Sequence, residues 1–97
     1  MRALRIHEYG GPLRLDEIEP PVAGLRQVVV RNLATNFNPI DPGRASGVMR
    51  QTFPLHLPWT PGGDISGTVE SVGEGVTNFK EGDEVFGYSM AGGAYAE

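Results

Sequence analysis

The chain has 97 residues, 39% of them apolar and 21% charged, a balance that fits one small globular domain and not a disordered segment. It contains no cysteine, which removes disulfides and thiolate chemistry. The net charge is −4, and residues 64–97 hold seven acids against one base, Lys80; a nucleic-acid surface needs clustered Lys and Arg, so that partner is not expected. No run approaches the ~18 apolar residues of a membrane span, and Met1-Arg2-Ala3-Leu4-Arg5 does not lead into a signal-peptide stretch. The expectation is a soluble, cytoplasmic protein with neither membrane nor nucleic acid as partner.

Met1 to His7 alternates weakly and predicts a first strand. Gly10-Gly11-Pro12 predicts a turn, and Leu13, Leu15 and Ile18 mark a second extended segment ending at Pro20-Pro21. Residues 27–33, rich in valine, form the clearest strand. Residues 36–47 allow a loop and a turn or two of helix, with Asp41 as N-cap before Pro42. Residues 48–62 carry Pro54, Pro58 and Pro61 and predict a long irregular loop, a kind of segment that is more often functional than idle. Further strands are expected at Ile65–Val72, Glu84–Tyr88 and from Ala94 onward, with turns at 73–75 and 79–83. No window has a helical apolar stripe, so the fold class is mainly β. A strand that stops alone leaves an unpaired edge, so truncation within the last strand is expected.

Several chemistries find no support. Gly73-Glu74-Gly75 lacks the third glycine of a dinucleotide-binding motif, and Gly62 to Gly67 has the wrong spacing. Neither is followed by the helical pattern that cradles a pyrophosphate. Two histidines, His7 and His56, do not make a zinc site, which wants four clustered nitrogen or sulfur ligands. His7 reads as a surface residue of the first strand, and His56 as a loop residue that either packs or touches a ligand. No Gly-x-Ser-x-Gly elbow is present.

What remains is an ordered constellation. Glu8-Tyr9-Gly10-Gly11-Pro12 follows the first strand, and Asn36-Phe37-Asn38-Pro39-Ile40-Asp41 follows the strongest one. Pro58-Trp59-Thr60-Pro61-Gly62-Gly63-Asp64 closes the long loop, and Gly82-Asp83-Glu84-Val85 comes later. This order resembles the GroES-like domain of the medium-chain dehydrogenase/reductase superfamily, and Asn38-Pro39-Ile40-Asp41 resembles its zinc-free, quinone oxidoreductase-like branch. Relatives in the zinc branch carry a cysteine ligand where this chain has Asn38, and a histidine followed by glutamate where it has Gly63 and Asp64. Quinone reductases often place tyrosines just after the Asn-Pro-x-Asp segment; this chain has Gly43 and Met49 there, which implies a roomier, more apolar pocket.

The resemblance implies a GroES-like, partly open β-barrel with short helical turns, ending before a Rossmann domain. It implies an NADPH-dependent reductase, a homodimer when full length, that transfers hydride to a quinone or conjugated enone without zinc. NADPH would be held mainly by the missing domain, and the isolated chain would be inactive. Asn38 is the expected catalytic residue, through its amide, with a loop-capping role as the alternative. Asn38, Asp41 and Met49 are expected at the cofactor, and Thr60, Gly62, Gly63 and Asp64 along the substrate cleft. The alternatives are an enoyl reductase of fatty-acid or polyketide type and a non-enzymatic β-barrel binding module.

Overall fold

The computed structural model describes all 97 residues, Met1–Glu97. Five strands and one short helix follow in the order β1 (Arg2–Arg5), β2 (Arg14–Glu17), β3 (Val28–Ala34), α1 (Ile40–Ala45), β4 (Asp64–Val72) and β5 (Glu84–Tyr88). Strands β1 and β2 form an antiparallel hairpin with Leu4 opposite Leu15. Strands β3, β4 and β5 form an antiparallel sheet with β4 in the middle. The barrel is not closed. No helix is long and apolar enough to cross a membrane.

Local chemistry explains the elements. Val28, Val29 and Val30 are β-branched and suit a half-buried pleated surface. Along β4, Gly67 and Val69 are buried while Ser66 and Glu70 face water, the period-two alternation of a one-sided sheet. Helix α1 has Asp41 in its first turn and Arg44 in its last, matching the sign of the helix dipole. Pro42 is tolerated because the first-turn N–H groups have no intrahelical partner.

The hydrophobic core is small: Ala3, Ile6, Trp59, Val69 and Ala94. It sits where β1 meets the ends of two loops. Ile6 and Trp59 exchange backbone hydrogen bonds of 2.9 and 3.0 Å, and Leu4 donates to the Tyr95 carbonyl at 2.9 Å. The first strand therefore crosses both the 59–63 segment and the 94–97 segment.

Three expectations need correction. The first strand is shorter than Met1–His7: regular pairing stops at Arg5, Ile6 adds one bridge, and His7 lies beyond it. The 94–97 segment is no full strand; it makes a single bridge, Ala96 to Ala3, and so has a partner on that side. Asp41 is not the helix N-cap. That position belongs to Pro39, with no side-chain cap bond. The helix starts two residues earlier, and the Asp41 carboxylate accepts from the Asn38 and Gly62 N–H groups instead.

Candidate functional site

Two chain segments meet at the end of the three-stranded sheet. One is the loop leaving β3, residues 35–39, with helix α1 behind it. The other is the segment entering β4. Asn38 Nδ2 donates to Asp64 Oδ2 at 2.9 Å, and more loosely to Asn36 Oδ1 at 3.4 Å. The Thr35 hydroxyl donates to the Asp64 carbonyl at 2.7 Å. A carboxylate only accepts, so its contact with Asn38 orients the amide: the NH₂ faces Asp64, and the side-chain oxygen Oδ1 of Asn38 has no hydrogen-bond partner within the chain.

Asp41 fastens the arrangement from below. It is buried, 6% exposed. Its Oδ2 accepts from the Asn38 backbone N–H at 3.1 Å, and its Oδ1 accepts from the Gly62 N–H at 3.3 Å. One carboxylate thus joins the loop before α1 to the bend before β4. Such charge-assisted bonds to backbone N–H are among the stronger kinds.

The bend itself is Gly62-Gly63. Gly62 has φ of +97°, a left-handed geometry that side-chain-bearing residues rarely adopt. A Cβ there would stand 2.6 Å from Tyr95 Cδ1, and one on Gly63 would stand 2.5 Å from Tyr88 Cζ. Each glycine therefore carries a tyrosine ring on the space a side chain would take. Tyr88 is the cross-strand partner of Asp64, and directly opposed antiparallel residues project to the same face. Its ring packs over Gly63, the residue is 45% exposed, and its hydroxyl makes no bond within the chain. The Tyr95 hydroxyl points to the Asn36 carbonyl at 3.4 Å. Burial, followed by the negative charge of Asp41, pushes the Tyr95 phenol above its ordinary pKa.

The remaining sequence candidates fall around this centre. Thr60 is half-buried and its carbonyl accepts from Gly93 N–H at 2.8 Å, so its backbone helps to fix the bend. Met49 packs its sulfur over Gly43 on α1; no bond joins it to Asn38 or Asp64. His56 is exposed. His7 bonds Asp16 through Nε2 at 2.7 Å, on the hairpin and apart from this site. Nowhere do three His, Cys, Asp or Glu side chains come together as a metal-binding set. The site is an open ledge. A hollow of about 460 Å³ lies elsewhere, between the 21–23 segment, β3 and the Gly92–Ala94 turn.

Sequence reasoning passed over Tyr88, Tyr95 and Arg44. Arg44 is buried; its guanidinium carbon lies 5.0 Å from the Trp59 ring centre and 5.9 Å from that of Phe53. Its Nη1 donates to the Met90 carbonyl at 2.7 Å, and the Trp59 indole donates to the Ala91 carbonyl at 2.8 Å. The pair ties α1 and the 59–63 segment to the turn after β5. Paired glycines at 62 and 63 were the one available signal that bulky neighbours would stand over the bend.

The architecture is a partly open antiparallel β domain with an amide–carboxylate pair and a glycine bend beneath two tyrosines. The chain belongs to the alcohol dehydrogenase GroES-like domain family, whose model matches residues 24–97. It is 42% identical over 100 residues to a quinone oxidoreductase of Rattus norvegicus, covering all of this chain and 30% of that protein. It thus spans about a third of the length of the curated relatives it matches. A Pseudomonas syringae quinone oxidoreductase superposes with a TM-score of 0.88 at 38% identity, over 99% of this chain and 29% of that one. An Escherichia coli quinone oxidoreductase complexed with NADPH gives 0.77 at 33% identity, over 89% and 26%. The GroES-like fold and the medium-chain dehydrogenase/reductase kinship expected from the sequence are both present.

Proposed function

We propose that residues 1–97 form the substrate-side domain of a two-domain, NADPH-dependent reductase that passes hydride to quinones or conjugated enones without zinc. The observation that carries this reading is the Asn38–Asp64 pair, an amide and a carboxylate at 2.9 Å on an open rim, in a chain akin to quinone oxidoreductases. The openness of the ledge supports a second domain as its other wall. In this reading the whole protein is a cytoplasmic homodimer.

The donor set does not suit a catalytic zinc, which takes nitrogen, sulfur and carboxylate ligands in a tetrahedral group. Asn38 and Gly63 offer no such ligand, and the Tyr88 ring fills the space above Gly63. A nucleotide pyrophosphate has no cradle here either. The chain has one helix, of six residues, and no glycine-rich turn opens it. When bound by a neighbouring domain, NADPH supplies the hydride.

This chain's residues position the reactants. The free side-chain Oδ1 of Asn38 would accept a hydrogen bond from the nicotinamide carboxamide, with Asp64 holding the amide in that orientation. Asp41 acts from beneath, keeping the Asn38 loop and the Gly62 bend in register. Gly62 and Gly63, covered by the Tyr95 and Tyr88 rings, set the bend that shapes the substrate cleft, with Thr60 beside them, and Met49 borders the cofactor with an apolar surface. A carbonyl conjugated to a C=C bond suits a metal-free site, because the charge from hydride addition spreads into an enolate and asks for hydrogen-bond donors instead of a Lewis acid.

The test is NADPH oxidation by a reductase carrying this domain, assayed with 1,4-naphthoquinone and with but-3-en-2-one, together with elemental analysis. Turnover of either substrate without bound metal is expected, and no turnover by residues 1–97 alone. One tightly held zinc per chain, with turnover of simple alcohols only, would overturn the reading. A strict preference for enoyl thioesters would move it to the enoyl reductases.

A further inference from the structure

A metal-free hydride acceptor site needs a donor for the oxygen on which charge develops. On the reading just proposed, the ledge around Asn38 and Asp64 is where this chain can supply that donor. The Asn38 NH₂ is directed at Asp64 and Asn36. The Thr35 hydroxyl is directed at the Asp64 carbonyl. Asp41 and Asp64 are acceptors when ionised. Two phenols pack on the glycine bend. One of them, Tyr95, is turned toward the Asn36 carbonyl and lies against Asp41.

The other phenol is Tyr88. It stands opposite Asp64 in the β4–β5 register and on the same face. Its hydroxyl-bearing carbon sits 2.5 Å from where a Cβ on residue 63 would be, so glycine at 63 is what admits the ring. The ring is 45% exposed, and its hydroxyl has no partner in the chain. A large aromatic side chain held in place by a glycine, with its polar end free, is a donor fixed before any ligand arrives.

We propose that Tyr88 is a substrate-contacting residue whose phenol O–H donates a hydrogen bond to the carbonyl oxygen of the quinone or enone. The proton stays on Tyr88; the bond strengthens as negative charge grows on that oxygen. The inference also accounts for the tyrosines absent at positions 43 and 49. A phenol reaches the ledge from β5 instead of from the segment after Asp41.

The decisive variants are Tyr88→Phe and Tyr88→Ala in the whole reductase. Tyr88→Phe keeps the ring over Gly63 and removes only the donor. It should lower kcat with but-3-en-2-one by ~10- to 100-fold, with KM within about threefold and the melting temperature unchanged. The carbonyl stretching band of bound 1,4-naphthoquinone should lie at lower frequency in the native enzyme than in Tyr88→Phe, a signature that a packing role would not move. Native kinetics and an unshifted band in Tyr88→Phe overturn the assignment, and if Tyr88→Ala alone is impaired the ring serves packing only. A native enzyme that reduces neither substrate removes the reductase reading itself and this inference with it.

Discussion

Asn38 and Asp64 lie 26 residues apart in sequence and meet at 2.9 Å, amide to carboxylate. The contact engages the Asn38 NH₂ and leaves its side-chain Oδ1 without a partner in the chain. It also joins the two segments that border the ledge, so the pair is a joint of the fold and, in the proposed function, the face offered to a ligand.

Replacing Asn38 separates these roles. Asn38→Ala in the whole reductase should reduce turnover by ~10- to 100-fold, through loss of the contact that positions the nicotinamide. The melting temperature should fall by only a few degrees, since one partly exposed hydrogen bond contributes about 1 kcal/mol. Asn38→Asp should be worse for stability, because it sets a second carboxylate against Asp64. Thermal melts alongside initial rates decide the matter. A collapsed melting temperature in Asn38→Ala, with normal turnover by the folded remainder, would make Asn38 a structural cap.

Gly63 and Tyr88 should behave as one packing unit. Gly63→Ala alone forces the added methyl into the Tyr88 ring, at a cost of about 1–3 kcal/mol. Adding Tyr88→Ala should recover part of that loss, giving a double variant more stable than the sum of the two single ones. Gly62→Ala should resist such rescue by Tyr95→Ala, because its φ of +97° strains any residue with a Cβ. Denaturant titration of all five variants tests the contrast.

Arg44 should be a stability residue with little direct part in chemistry. Its buried guanidinium is held by the Trp59 and Phe53 rings and the Met90 carbonyl. Arg44→Ala should destabilise by about 2–3 kcal/mol, from the lost cation–π contacts, the lost charged hydrogen bond and the space left behind. Arg44→Lys should recover only part, since an ammonium has neither the planar face nor the fork. Calorimetric melting of the isolated domain reads both.

The hairpin carries a pH-sensitive pair. Hydrogen bonds from Arg5 and then His7 hold the Asp16 carboxyl below its ordinary value of 3.8. A lowered folded-state pKa contributes stability that is present above the unfolded value and is lost as pH falls through the folded one. The native domain should therefore lose more stability than Asp16→Asn does as pH falls below the ordinary carboxyl value of 3.8. Melting temperatures of both across that range should converge toward acid; parallel curves would rule out the linkage.

Much of the fold was legible in the residues. The valine run at 28–30, the alternation of 65–72, and turns at Gly10-Gly11, Gly73-Glu74-Gly75 and Gly82-Asp83 each act within a few residues, and each stands where expected. Local rules served less well for Asp41. Its side chain belongs by spacing to a helix cap, yet Gly62, 21 residues away, takes one carboxylate oxygen. Asn38 and Asp64 were each visible as candidates, but not as partners.

The sequence by itself determined the class of the domain, its turns and strands, and the residue types available for chemistry, because periodicity, β-branching and glycine act locally. Only the tertiary structure decided which of those residues meet. The Tyr88 ring on Gly63, the Tyr95 ring on Gly62, and Arg44 between Trp59 and Phe53 are contacts across loops and strands of differing length. They depend on strand register and on where β1 crosses the chain, and no short window of sequence holds that information.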